Sequence, residues 1–190
     1  AAHLPGRPNN LETALAEALY MTALERNGDV VHMTSYAPLL AKEGHTQWNP
    51  DLIYFNNEEV KPTVGYYVQQ LYGQHAGDEY LASRVIVSEN SDAVQKRVAA
   101  SVVRDSRTND LIVKLVNLLP VPTQTNIVLN DVPAIEGTAE LITLTGKPDD
   151  KQAKPATGTV RVSNDFDVDL PAYSFTLIRI KQNNTNLTKK

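Results

Sequence analysis

From Leu11 to Arg26 the chain contains no Gly or Pro, and Ala and Leu dominate it, which predicts a helix. Its apolar residues Ala14, Leu15, Ala18, Leu19, Met21 and Leu24 cover more than one narrow stripe, so burial on two sides is expected. Asn9 followed by Glu12 reads as a capping box at its start, and Asn27-Gly28 as a left-handed stop at its end. Val30 to Tyr36 is a short, β-branched, nearly continuous apolar run, the pattern of a parallel strand covered on both faces. A second helix is expected from Thr63 to His75, with Pro62 ahead of its first turn and Gly77 past its end. Helix, strand and helix in that order form one step of a β/α barrel.

From Glu79 onward the period becomes two. Leu81, Val85 and Val87 start one strand, and Val98, Ala100 and Val102 alternate with Arg97, Ser101 and Arg104. Leu111, Val113, Leu115 and Asn117 come after the polar turn Ser106-Arg107-Thr108-Asn109. The pattern continues through Leu141 to Thr145, Val160 to Val162 and Tyr173 to Ile180. Turn signals separate these runs at Pro120-Val121-Pro122, Asn130-Asp131, Gly146-Lys147-Pro148 and Asn164-Asp165. About seven short strands at this spacing, with no helix among them, predict an antiparallel β-sandwich of jelly-roll-like type. The fold expected is therefore mainly β: residues 1–77 hold the last helix-strand-helix elements of a truncated (β/α)8 barrel, and 78–182 hold the sandwich. The polar tail 183–190 is expected to be disordered.

Composition narrows the function. A chain of 190 residues is long enough for one domain and short for two. A net charge of −4 leaves no basic surface for a polyanion, so nucleic acid is not an expected partner. With no cysteine, a thiolate nucleophile, a disulfide framework and Cys-type zinc sites are excluded. No two of the four histidines have metal-ligand spacing, so no metal and no cofactor is implied. No apolar run approaches the ~20 residues that span a bilayer, so no membrane association is expected. The N-terminus has no charged head leading into an apolar core, so no signal peptide is expected in it.

Certain motifs carry a resemblance. Ala18-Leu19-Tyr20-Met21-Thr22-Ala23-Leu24-Glu25-Arg26-Asn27, then Ser35-Tyr36-Ala37-Pro38-Leu39, Gln47-Trp48-Asn49-Pro50-Asp51-Leu52-Ile53-Tyr54-Phe55 and Tyr66-Tyr67-Val68 form a joint pattern. It closely resembles the end of the catalytic barrel in glycoside hydrolase family 51, the α-L-arabinofuranosidases. Leu170 to Ile180 is similar to the last strand of that family's C-terminal sandwich. The resemblance implies a parent enzyme that releases terminal α-L-arabinofuranosyl groups from arabinoxylan, arabinan or their oligosaccharides. In that family one carboxyl acts as acid/base and another as nucleophile, ~5 Å apart, with retention of configuration. Both glutamates lie upstream of the region matched, and Ala1-Ala2-His3 is similar to the residues just past the nucleophile's Gly-Glu-Tyr-Ala type motif. The resemblance thus implies a piece without catalysis of its own; the absence of cysteine leaves the parent's compartment open, with the periplasm or the cell exterior favoured over the cytoplasm.

Other carboxylates do not replace that pair. Glu58 and Glu59 are adjacent and point to different faces, so they cannot flank one glycosidic bond; a solvated loop is expected. Asp149-Asp150 sits in a polar turn. Asp165, Asp167 and Asp169 share one strand face, without the Gly turn and later Glu of a calcium loop. For sugar contact the candidates are Trp48, whose indole face stacks on sugar C–H surfaces, with Gln47 and Asn49 beside it as hydrogen-bonding groups. The resemblance places these three at the rim of the arabinose pocket, with His3 close behind the nucleophile. The alternative for Trp48 is packing of the barrel end. His32 is expected to be a satisfied core histidine. For the sandwich the alternatives are an autonomous carbohydrate-binding module or a structural lid. The apolar helix and strand of residues 1–77 should either dock on the sandwich or pair with a second copy in a homo-oligomer.

Overall fold

The computed structural model describes residues 8–89 and 91–182. His3 and the tail 183–190 lie outside them. The element order is α1 (Leu11–Arg26), β1 (Leu40–Lys42), β2 (Ile53–Phe55), β3 (Val60–Pro62), α2 (Val64–Gln74), β4 (Glu79–Leu81) and α3 (Asp92–Gln95). Then come β5 (Val98–Asp105), β6 (Asp110–Asn117), β7 (Thr123–Val128), β8 (Glu136–Thr145), β9 (Ala156–Ser163), β10 (Asp165–Leu170) and β11 (Ser174–Ile180).

The fold is mainly β, with antiparallel sheets beyond residue 78. A six-stranded sheet has the order β4-β5-β6-β11-β8-β9, and β10 pairs with β7 as a separate ribbon. The period of two sorts the residues of each central strand between two cores. On β6 and β11 one set of alternate residues, Ile112, Val116, Phe175 and Leu177, joins Leu11, Ala14, Leu15, Ala18, Val64, Val68, Leu71 and Tyr72 from the helices. The other set, Leu111, Val113, Leu115, Ile178 and Ile180, meets Ile127, Phe166, Val168 and Leu170 of the ribbon. The sheet is thus the middle of three layers. Each large aliphatic side chain taken from water this way contributes roughly 1.5–3 kcal/mol.

Docking of the helices on the sheet is the first of the two outcomes expected for them. Their ends are bonded as well as packed. The Leu11 and Glu12 amides donate to the carbonyls of Asp150 and Pro148, at 2.8 and 2.9 Å, so the turn expected to be merely solvated supplies acceptors to the start of α1. The capping box is one residue later than Asn9: Asn10 Oδ1 accepts from the Thr13 amide and Thr13 Oγ1 from the Asn10 amide, both at 3.0 Å. Asn9 instead accepts from the Gly65 amide at 2.9 Å and serves the first turn of α2, whose own N-cap Thr63 makes no side-chain cap bond. Gly65 leaves the room for it, since a Cβ there would stand 2.8 Å from the Asn9 amide nitrogen.

Several expectations are corrected. Gly28 is not the left-handed stop of α1: Asn27 ends the helix at φ −106°, its side-chain amide bonded to the Ala23 carbonyl at 2.7 Å. Residues 30–36 form no strand, and Met33 is 88% exposed. A parallel strand needs neighbours, and among residues 8–77 only the short β1, past this run, finds a parallel one, in β2. His32 is consequently exposed rather than core. Residues 82–87 leave the sheet after Leu81, with Ile86 exposed, and a short helix, α3, stands where none was expected. Gly77, by contrast, lies past the end of α2 as expected, with φ +63°; a Cβ there would lie 2.7 Å from the Arg104 carbonyl oxygen.

Candidate functional site

Trp48, Gln47 and Asn49 share one loop, between β1 and β2 rather than after a strand at 30–36, and all three are exposed. The loop is stapled from inside. The Trp48 amide donates to Thr46 Oγ1 at 3.1 Å, and that hydroxyl lies 3.2 Å from Asp51 Oδ2. The Asp51 amide donates to the Tyr54 hydroxyl at 2.9 Å, which in turn reaches Asn49 Oδ1 at 3.3 Å. Asp51 itself is buried. These bonds turn the polar backbone inward and leave the indole outside, with Trp48 68% exposed. Within the described chain the indole is therefore held on a braced loop and left largely uncovered. Asn49 has one side of its amide engaged by Tyr54, so its position is set by the same staple.

Across β2 and β3 the surface is charged. Lys61 Nζ bridges Glu43 and Glu59, each at 3.0 Å, and the Lys61 and Asn56 bonds hold the Glu43 carboxyl below its ordinary range. The Glu58 and Glu59 amides both donate to Asn56 Oδ1 at 2.9 Å. Both glutamates therefore sit in an exposed turn, as expected.

Sequence reasoning missed a second group. An open cleft of about 700 Å³ lies along α1, lined by Glu17, Tyr20, Met21, Leu24, Tyr36 and Gln69, among others. Glu17 is only 4% exposed, although it stands on the helix next to Ala18. Gln69 Nε2 donates to its carboxylate at 3.4 Å. Burial, and then the Glu17 charge, push the Tyr36 phenol well above its ordinary range, and its hydroxyl is buried without a hydrogen-bond partner among the described residues. The signal was present: Glu17 falls three residues after Ala14 and four before Met21, on the apolar side of the helix. Glu17 is the only carboxylate among the cleft's described lining residues. No group of three or more metal-ligating side chains occurs among the described residues, and Asp165 and Asp167 both accept from Asn126 Nδ2, at 2.8 and 3.0 Å.

The geometry can be set beside known proteins. A 47% identical stretch of 76 residues is shared with an extracellular exo-α-L-arabinofuranosidase of Streptomyces chartreusis, covering 40% of this chain and 9% of that protein. A 40% identical stretch of 74 residues is shared with α-L-arabinofuranosidase 1 of Arabidopsis thaliana, covering 39% and 11%. The matched stretch thus spans about a tenth of the length of these relatives. Among solved structures, an arabinose-bound GH51 α-L-arabinofuranosidase superposes with a TM-score of 0.84 at 28% identity, over 92% of this chain and 28% of that one. The Thermotoga maritima enzyme, solved as an arabinose complex, superposes at 0.78 with 15% identity, over 93% and 39%, a likeness of fold. The profile of the α-L-arabinofuranosidase C-terminal domain family matches residues 1–174, and the chain belongs to that family.

Proposed function

We propose that this chain is the C-terminal part of a retaining α-L-arabinofuranosidase, that it carries the substrate-facing loop with Trp48, and that it does not hydrolyse glycosides by itself. The parent would release terminal α-L-arabinofuranosyl groups from arabinoxylan or arabinan, outside the cytoplasm as in the Streptomyces relative. The observation that carries this reading is the two-sidedness of residues 8–77. One face docks on the sandwich, while Tyr20, Val30, Met33, Leu39 and Val60 of the same segment remain exposed together with Trp48. Such a surface fits the rest of a catalytic barrel. Retaining chemistry needs two carboxyls about 5 Å apart, and the cleft offers Glu17 alone. Gln47 and Asn49 are assigned to sugar hydroxyls beside the Trp48 ring.

The test is release of p-nitrophenol from p-nitrophenyl α-L-arabinofuranoside. The chain alone should give none above the buffer blank, and turnover in protein free of host enzyme would overturn the reading. In the intact parent Trp48→Ala should lower kcat/KM tenfold or more, a loss of about 1.4 kcal/mol or more. Unchanged kinetics would assign Trp48 to packing.

For the sandwich we propose a structural role. Phe166 and Phe175 are buried and Tyr80 and Tyr173 half-buried, so the described strands present no exposed aromatic row for a sugar chain. Retardation of the chain by arabinan or xylan in affinity electrophoresis would favour a binding module instead.

A further inference from the structure

Lys114 stands in the middle of β6, wholly buried, on the face that meets the helices. Its Nζ donates to Glu25 Oε1, from the last turn of α1, and at 2.7 Å to the carbonyl of His75, the C-cap of α2. The ammonium also lies 5.1 Å from the centre of the Tyr72 ring. The other oxygen of Glu25 accepts from Ser101 Oγ at 2.5 Å, and Ser101 on β5 is buried too. One charge pair thus joins the ends of both helices to two neighbouring strands of the sheet.

Apart from the stacked Tyr72 and Phe175 rings and an Arg26 bond to the Ala100 carbonyl, the remaining contact between these layers is aliphatic. Ala14, Leu15, Ala18, Val68 and Leu71 meet Val103, Ile112, Val116, Leu144 and Leu177, small or aliphatic groups that repack at modest cost. Apolar contact of that sort rewards many seatings of a helix on a sheet almost equally. A displacement of α1 by one turn, ~5.4 Å, would carry Glu25 out of reach of Lys114 and strand an ammonium where no water reaches it. Unpaired buried charge is among the costliest errors a fold can make. The bonds from Leu11 and Glu12 to the 148–150 turn hold the opposite end of α1 from Glu25, and Glu12 is exposed, so water can replace its bond. Burial pulls the Lys114 ammonium below its ordinary range while Glu25 holds it up, as expected of a group whose charge depends on its partner.

We infer that the Glu25–Lys114 pair selects the single seating of α1 and α2 on the six-stranded sheet, and that its contribution is uniqueness rather than net stability. This inference stands on the interior of the chain and does not depend on the proposed activity.

The chain lacks cysteine, so spin labels placed through Tyr20→Cys and Thr159→Cys, both exposed, report the seating by double electron–electron resonance. The parent pair should give one narrow distance distribution. Glu25→Leu or Lys114→Met alone should lower the folding equilibrium constant by roughly a hundredfold or more in denaturant titration, since each strands a buried charged or polar partner. The double variant Glu25→Leu/Lys114→Met should recover the folding equilibrium constant to within tenfold of the unsubstituted chain, yet give a broadened or bimodal distance distribution. A recovered constant with one narrow distribution would overturn the inference. So would single variants as stable as the parent. If the double variant does not fold, Glu25→Gln/Lys114→Met, which keeps an acceptor for Ser101, is read the same way. Failure of both to fold would make the pair a source of stability and would also overturn it.

Discussion

Two apolar, β-branched runs in this chain meet opposite fates. Residues 110–117, Asp-Leu-Ile-Val-Lys-Leu-Val-Asn, form β6, and every residue of it is buried. Residues 30–36, Val-Val-His-Met-Thr-Ser-Tyr, form no strand, and five of the seven are exposed. Intrinsic preference does not separate them, since both suit a strand covered on two faces. The difference is the number of partners the chain itself supplies. β6 lies between β5 and β11, with helices above and the β7–β10 ribbon below. Residues 30–36 have α1 on one side and nothing in the described chain to continue the sheet. A run of that pattern states what it needs, and cannot state whether the need is met.

The sharpest way to break the comparison is to put the same charge into both runs. Val113→Asp would bury an unpaired carboxylate and should cost about 4 kcal/mol or more, abolishing folding, whereas Met33→Asp should change stability by less than about 0.5 kcal/mol. Chemical denaturation of both variants decides it, and a comparable loss for Met33→Asp would mean the 30–36 run is covered in solution. Next in size is the interlayer core. Phe175 is fully buried and stacks on Tyr72 with ring centres 5.1 Å apart, so Phe175→Ala should cost about 3–5 kcal/mol in the same titration. At the junction of the two regions, Gly77→Ala meets both a positive φ and the Arg104 carbonyl. A drop in Tm corresponding to about 1–3 kcal/mol is expected.

Smaller effects sharpen how the helices are held. Asn9→Ala removes the acceptor for Gly65 and Asn10→Ala the cap of α1, each worth about 1 kcal/mol. Amide exchange should rise at the start of α2 for the first and at the start of α1 for the second. If Asn9→Ala loosened α1 instead, the cross-helix cap would be wrong. The smallest effect is on pH. Burial first, then the charges of Arg179 and Lys114, lower the His75 pKa, against the opposing pull of Glu140. A histidine held below its ordinary value of about 6.5 contributes stability that is present above that pH. It is lost as pH falls through the folded value. The Tm of the parent should therefore fall more between pH 7 and pH 5 than that of His75→Gln. The margin is small because His75 is only half-buried. Equal slopes would remove His75 from the account.

Particular residues show how far sequence reasoning reached. The span Leu11–Arg26 of α1 was legible because its propensity and apolar spacing lie within the segment, whereas its cap and its stop were misplaced. The capping box was displaced by one residue, since Asn9 and Asn10 are equivalent in pattern and only the approach of α2 tells them apart. On β10 the alternation of Asp165, Asp167 and Asp169 with Phe166, Val168 and Leu170 placed each face correctly. Trp48, Gln47 and Asn49 do share one exposed loop, but the staple behind them was not read. It joins Thr46, Asp51 and Tyr54, whose types are common in any loop. Glu17 was passed over because one carboxylate beside an apolar stripe reads as a solvated flank until Tyr36 and Gln69 close over it.

The sequence alone determined the period of β5, β6, β10 and β11, and with it which face of each turns inward, but it showed neither β7 at Thr123–Val128 nor that residues 82–87 leave the sheet. It also carried the family, through motifs whose spacing is read without coordinates. Only the tertiary structure decided that the sheet is covered twice, by helices on one face and a two-stranded ribbon on the other. It alone placed Lys114, which alternation reads as a charge between two aliphatic neighbours, at the centre of the molecule with Glu25 from 89 positions earlier in the chain. The physical reason is range. Backbone preference and side-chain alternation act over a few residues and are written where they act. Burial and charge pairing are set by whatever distant segment arrives, and the same side chain is a solvated surface or a buried ion according to that arrival.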